Sequence, residues 1–225
     1  MTFRQLLSKF ILITVLLPFF LSCALGPGNF QSRHATDLES RNIRRVAVLP
    51  PASTAAEGSA KAPDPATEGK GGKKEPATTL SDLVYTTVSA LPRWQIVSER
   101  EVREVIAMLP QGGELNRAKK LGELVYADAV ISGRLLRFRE RVGEEWGIQS
   151  PASVAFVIDL WDAKRGDLIW SGQFDETQKP LSQNIFALGE FTQRGARWLT
   201  AEELTLEGVK KAISQLHQTL YRKTT

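Results

Sequence analysis

The only cysteine of the chain, Cys23, stands at the end of its only long apolar run. Residues 1–23 read MTFRQLLSKFILITVLLPFFLSC. Arg4 and Lys9 give a positive leading segment without an acid, and Phe10 to Leu21 is apolar apart from Thr14 and Pro18. A membrane-crossing helix needs roughly 20 apolar residues, so this run is too short for a comfortable span. Its length, charge and position have the form of a bacterial export signal. The alternative is an uncleaved anchor helix beside a bystander cysteine. On the export reading, everything downstream folds outside the cytoplasm. A lone cysteine also excludes an intramolecular disulfide and a multi-cysteine metal site.

The segment Phe20-Leu21-Ser22-Cys23 resembles the lipobox of bacterial lipoproteins, with Phe20 where that motif prefers Leu. The resemblance implies that residues 1–22 are a signal peptide and that Cys23 becomes the lipid-modified first residue. Each buried CH₂ contributes about 0.8 kcal/mol, and stable anchoring takes more than one acyl chain. A diacylglycerol plus an N-acyl chain meets that requirement. Ala24 stands where Asp would resemble an inner-membrane retention signal, which implies the outer membrane, with the domain facing the periplasm.

The 225 residues are 42% hydrophobic and 24% charged, which excludes a wholly disordered, collagenous or polytopic membrane chain. The formal charge of +4 falls to about +2 once Arg4 and Lys9 leave with the signal, so nucleic acid is not an expected partner. The length suits one domain.

Residues 23–42 are polar and rich in small residues, and read as a flexible tether. The folded domain is expected over 43–225. Arg44 to Pro50 is a first strand. Residues 52–79 are a low-complexity insert of Ala, Gly, Pro, Lys and Glu without Val, Ile, Leu or an aromatic residue. Such a segment buries too little apolar surface to offset its ordering entropy, and disorder is expected there. Ser81 to Leu91 has helical spacing, with Ser81 a candidate N-cap. Trp94 to Ser98 reads as a short strand. Ser98 and Glu101 then form a capping box for a helix ending near Leu109. Glu114 to Tyr126 is a third helix with Leu115, Ala118, Leu121, Leu124 and Val125 inward. Ala129 to Phe138 begins as a buried strand and becomes alternating. Ser153–Trp161 and Leu168–Phe174 flank a turn containing Gly166 and form a hairpin. Pro180–Leu199 has no regular period. Thr200 and Glu203 open a last helix that runs to about Tyr221. Strands and helices alternate, then a meander follows. The predicted fold is α/β: a single domain with a mixed sheet packed by helices.

Four blocks carry a family resemblance: RRVAVLPP after the tether, WQIVSEREVREVI, AKKLGELVYADAVISGRL and VIDLWDAKRGDLIWSG. Over roughly residues 43–175 they resemble the periplasmic domain of LpoB/CsgG-like envelope lipoproteins, shared by penicillin-binding-protein activators and curli-secretion lipoproteins. The resemblance implies an extracytoplasmic α/β domain that works by protein contacts, and it brings no catalytic residues. A curli-type pore needs spanning strands of about 9–11 alternating residues. Arg137–Trp146 offers no such row, and neither does the insert.

Candidate chemistry is sparse. His34 and His217 lie far apart without a zinc pattern. Gly69–Lys74 lacks the phosphate-loop spacing. Asp162 and Asp167 flank a hairpin turn, where Asp favours local hydrogen bonds. No cofactor and no metal are expected. Arg137, Arg139 and Arg141 alternate with Phe138 and Glu140, and Trp146 follows. Arg and Trp dominate protein–protein hot spots, so these four are candidate partner-binding residues. A charged strand edge blunted against aggregation is the competing reading. The sequence points to a lipid-anchored, non-enzymatic binding or assembly module of the envelope. Its expected partner is a peptidoglycan synthase or, alternatively, a secretion assembly in which the chain packs with copies of itself.

Overall fold

The computed structural model describes residues 29–51, 75–110, 112–144, 147–178 and 197–221. The export signal, Cys23, residues 52–74 of the insert, Trp146 and residues 180–196 of the aperiodic stretch lie outside them.

The described elements run in this order: strand β1 (Phe30–His34), a short 3₁₀ turn (Leu38–Ser40), β2 (Arg45–Leu49), helix α1 (Pro76–Ser89), β3 (Gln95–Ile96), α2 (Glu99–Met108), α3 (Glu114–Leu124), β4 (Ala129–Arg139), β5 (Val142–Gly143), β6 (Ile148–Ser150), β7 (Ser153–Asp162), β8 (Leu168–Thr177) and α4 (Ala201–Leu220). Six strands form one mixed sheet in the order β1-β8-β7-β4-β2-β3, and β5 pairs only with β6. The β2 pairings with β3 and β4 are parallel; the others are antiparallel. The α/β fold read from the sequence is present.

Alternation decides what each sheet face buries. Val154, Phe156, Ile158 and Leu160 of β7 point to one side and are fully buried with the apolar stripes of α1 and α4. Ala47, Leu49 and Val130 point to the other side and pack under α2 and α3 with Val102, Ala118 and Leu121. Among the described residues the second helical layer covers β2, the start of β4 and the end of β7.

Three local devices set the frame. Asp128 accepts the main-chain N–H groups of Arg44 (3.0 Å) and Arg45 (2.9 Å), which holds the start of β2 beside β4. Gly166 sits at φ +74 in the β7–β8 turn, a conformation that favours glycine, as the sequence implied. Thr200 and Glu203 form the expected capping box at the start of α4.

Several expectations are corrected. The tether read over 23–42 is folded from Asn29 onward. β1 pairs with β8 along its whole length, and Leu38 is completely buried. The segment hid because its few apolar residues follow no period; Phe30 and Leu38 are single contacts in a polar stretch. The insert boundary at 79 also moves. Pro76 begins α1, with Glu75 at the N-cap, and Ser81 is a buried residue inside the helix. Proline needs no hydrogen bond at a first helical position, so it starts this helix instead of excluding one. In α3, Leu115 and Leu124 were expected inward but are 43% and 55% exposed.

Candidate functional site

The arginine-rich end of β4 is built by a bulge. Leu135 pairs with Phe156 and Arg137 with Ala155, so Leu136 is an extra residue, 57% exposed. Without it, Arg134 and Arg137 would point to opposite faces. With it, Arg134, Arg137 and Arg139 share the face opposite the α1–α4 core and oppose Val157, Ala155 and Ser153. Leu135 and Phe138 pack on the core side.

Most of these arginines are engaged. Arg134 bridges Glu114 and Asp159, each at 3.1 Å. Asp159 is 2% exposed, and its second oxygen meets no hydrogen-bond partner among the described residues. Arg137 donates to Ser153 Oγ at 2.7 Å and pairs with Asp175. Arg141 donates to the Trp198 carbonyl at 2.7 Å, and the neighbouring Glu140 accepts the Ala201 N–H at 3.1 Å. These two bonds stitch the chain after β4 to the start of α4. The Arg139 side chain is exposed and makes no ion pair or hydrogen bond among the described residues. The sequence grouped Arg137, Arg139 and Arg141 as equals. The structure leaves Arg139 as the one of the three turned to solvent.

Beyond Arg141 the chain forms the β5–β6 hairpin. Gly143 takes φ +107, and Glu144 and Gly147 exchange main-chain hydrogen bonds at 2.9 and 3.3 Å. Val142 on this hairpin is 53% exposed. The fourth candidate, Trp146, falls outside the described residues.

The same end of the sheet receives the N-terminal chain. The Asp175 N–H donates to the Asn29 carbonyl at 2.9 Å, and the Asn29 side chain meets Glu176 and Lys211. Asp175 is also the partner of Arg137, so β1, β8 and β4 are joined in one polar row. The first turns of α1 and α4 meet here too. They border a cavity of about 390 Å³ lined by Glu75, Asp82, Glu140 and Glu202 over Leu83 and Phe138. No group of His, Cys, Asp and Glu among the described residues is arranged to hold a metal ion.

Acids that a sequence search would test for catalysis have structural work. Asp162 accepts the N–H groups of Lys164 (2.9 Å) and Arg165 (2.8 Å) and pairs with Arg41. Burial alone would raise its carboxyl. The Arg165 N–H, the Arg41 guanidinium and the Lys164 N–H outweigh burial and hold it below the usual carboxylate range. Glu203 is lowered chiefly by Arg197, against burial, with help from the Thr200 N–H. His34 is exposed and contacts its neighbour's carbonyl; His217 packs against Trp94 and Tyr221 near the end of α4.

Sequence reasoning missed Asn29 and the bulge. The bulge left a signal: Arg134 and Arg137 are three apart inside an otherwise alternating run.

No protein-family model matches the chain, and no curated protein matches it. Among solved structures, the chain is similar to the PelC dodecamer from Paraburkholderia phytofirmans, at 13% identity over 83% of this chain and 95% of that one, with a TM-score of 0.43. It is similar to the LpoB C-terminal domain from Salmonella enterica, at 16% identity over 60% of this chain and 84% of that one, with a TM-score of 0.37. The lipoprotein GNA1162 from Neisseria meningitidis is 15% identical over 68% of this chain and 93% of that one, with a TM-score of 0.38. The LpoB domain is of the kind the sequence blocks resemble. At these identities and TM-scores, no residue role and no activity passes from these proteins to this chain.

Proposed function

We propose that the chain is an envelope lipoprotein, anchored through Cys23 in the outer membrane. There it acts in the periplasm as a binding or assembly module rather than as an enzyme. The observation that carries the reading is the pairing of a lipobox-like cysteine with a domain that already includes Asn29, six residues later. Asp162 is taken up by Arg41 and two main-chain N–H groups, and Asp159 pairs through one oxygen with Arg134, which supports contact over catalysis.

The surface proposed for a partner is the strand end with Arg139 and the β5–β6 hairpin; Trp146, also a candidate from the sequence, lies outside the described residues. Arg137 ties β4 to β7 and β8, and Arg141 ties the chain after β4 to the residues before α4. Tethering a module to one leaflet raises its effective concentration for a partner there, commonly into the mM range.

Between the two roles, activator of a peptidoglycan synthase and subunit of an export or secretion assembly, the short connection favours the second. Six residue steps reach at most about 20 Å. A partner must therefore come to the membrane surface. Crosslinking from the membrane-bound protein, with a photoreactive residue at position 139, tests this. Adducts with copies of the chain or with outer-membrane assembly proteins support the reading. A synthase anchored in the inner membrane as the main adduct would restore the activator role.

A further inference from the structure

The placement of Asn29 says which side of the domain faces the bilayer. Asn29 enters at the end of the sheet where β4 finishes, β7 begins and β8 finishes, as the row Asn29–Asp175–Arg137 shows. The β7–β8 turn, with Lys164, lies at the far end, beside Ala129. β4 has 11 residues, so the two ends are about 30 Å apart at the strand rise of about 3.3 Å. The five residues between Cys23 and Asn29 span at most about 20 Å whatever path they take. A domain of this size is about 40 Å across. It cannot turn its far end to the membrane on so short a leash.

We propose that the strand end carrying Asn29, Arg139 and the exposed Val142 faces the lipid headgroups of the leaflet that holds Cys23, where a partner seated in that membrane can still reach it. This deepens the anchored-module reading and rests on it. The chemistry of that end does not drive the position. Val142 offers an exposed apolar side chain, and Arg139 a guanidinium without a side-chain partner among the described residues. Of the acids nearby, Asp175 is held by Arg137, Glu176 by Asn29 and Glu140 by the Ala201 N–H. Glu144 on the hairpin and Glu75 and Glu202 at the cavity are exposed. The leash, not net charge, sets the orientation.

Because Cys23 is the only cysteine and its sulfur is blocked by the lipid, a single introduced thiol can be labelled alone. The lipidated full-length protein is reconstituted in vesicles of phosphatidylethanolamine and phosphatidylglycerol. It carries V142C, R139C or, at the far end, K164C, each with an environment-sensitive fluorophore. Lys164 is 82% exposed, so its label is equally free of the fold. Headgroup spin labels should quench position 142 or 139 about threefold more than position 164, given the roughly 30 Å between the ends. Two independent near-end positions guard against one variant misfolding. Equal quenching at both ends, or stronger quenching at 164, overturns the orientation. Vesicle flotation of the same samples separates that result from failure of the anchor, since an unlipidated chain stays at the bottom of the gradient.

Discussion

Arg41 reaches across 121 residues to pair with Asp162, and the same guanidinium meets Asp37 at 2.7 Å and Asp167 at 3.2 Å. The Arg41 side chain is only 9% exposed. One buried cation thus binds the segment joining β1 and β2 to the β7–β8 turn. Burial alone would lower its pKa, but Asp162, Asp167 and Asp37 more than offset that. Of its three acids only Asp162, 14% exposed, is largely shielded from water; Asp37 and Asp167 are about half exposed and screened by solvent. Arg41→Met should therefore cost about 1–2 kcal/mol, chiefly the lost charge-assisted bond to Asp162, read as a lower urea midpoint of the soluble domain. A loss within error would show the cluster to be solvated decoration.

Acid should loosen the same cluster. A carboxyl whose folded pKa lies below its unfolded value stabilises the fold above the unfolded value, about 3.9 for Asp, and loses that contribution as pH falls through the folded one. Asp162 and Glu203 both have this sign. The urea midpoint should fall on acidification below about pH 4. Asp162→Asn should be weaker at neutral pH and show a shallower acid limb. Parallel acid limbs for the two proteins would remove Asp162 from the account.

Leu38 measures whether residues 29–42 belong to the domain. It is fully buried in the core with Trp170 and the α4 stripe. Leu38→Ala should cost about 2–5 kcal/mol, the range for large-to-small changes in a core. A true tether would tolerate the change without effect, and thermal unfolding of a soluble form beginning at Ala24 distinguishes the two.

Gly208 on α4 lies where a methyl group would approach the Phe174 ring at 2.7 Å and the Phe156 ring at 2.9 Å. Those rings stack on each other with centroids 5.1 Å apart and are buried, so neither can swing away. Gly208→Ala gains helix propensity but overpacks this junction, for a net loss of about 1–3 kcal/mol. Unchanged or raised thermal stability would mean that α4 can lift from the sheet at little cost.

The parts of the fold visible in the sequence were those with a strong period or a local chemical signature. The β7–β8 hairpin showed alternation around Gly166, and α4 showed Thr200 and Glu203 three apart. β1 was invisible because an edge strand needs only one or two inward side chains, here chiefly Phe30 stacking on Trp170. Leu115 and Leu124 misled because α3 packs with a narrow stripe, Ala118, Leu121 and Val125, against a small-residue contact at Gly122 and Ala163. At the candidate site, residue types were legible and pairings were not. Nothing in the order of residues tells that Arg137 meets Asp175, 38 positions on, while Arg139 meets solvent.

Mass spectrometry of the protein taken from its native membrane tests the central claim most directly. The account predicts a mature chain beginning at Cys23, its sulfur carrying a diacylglyceryl group and its amine an acyl chain. An intact Met1 with an unmodified Cys23 thiol would contradict it.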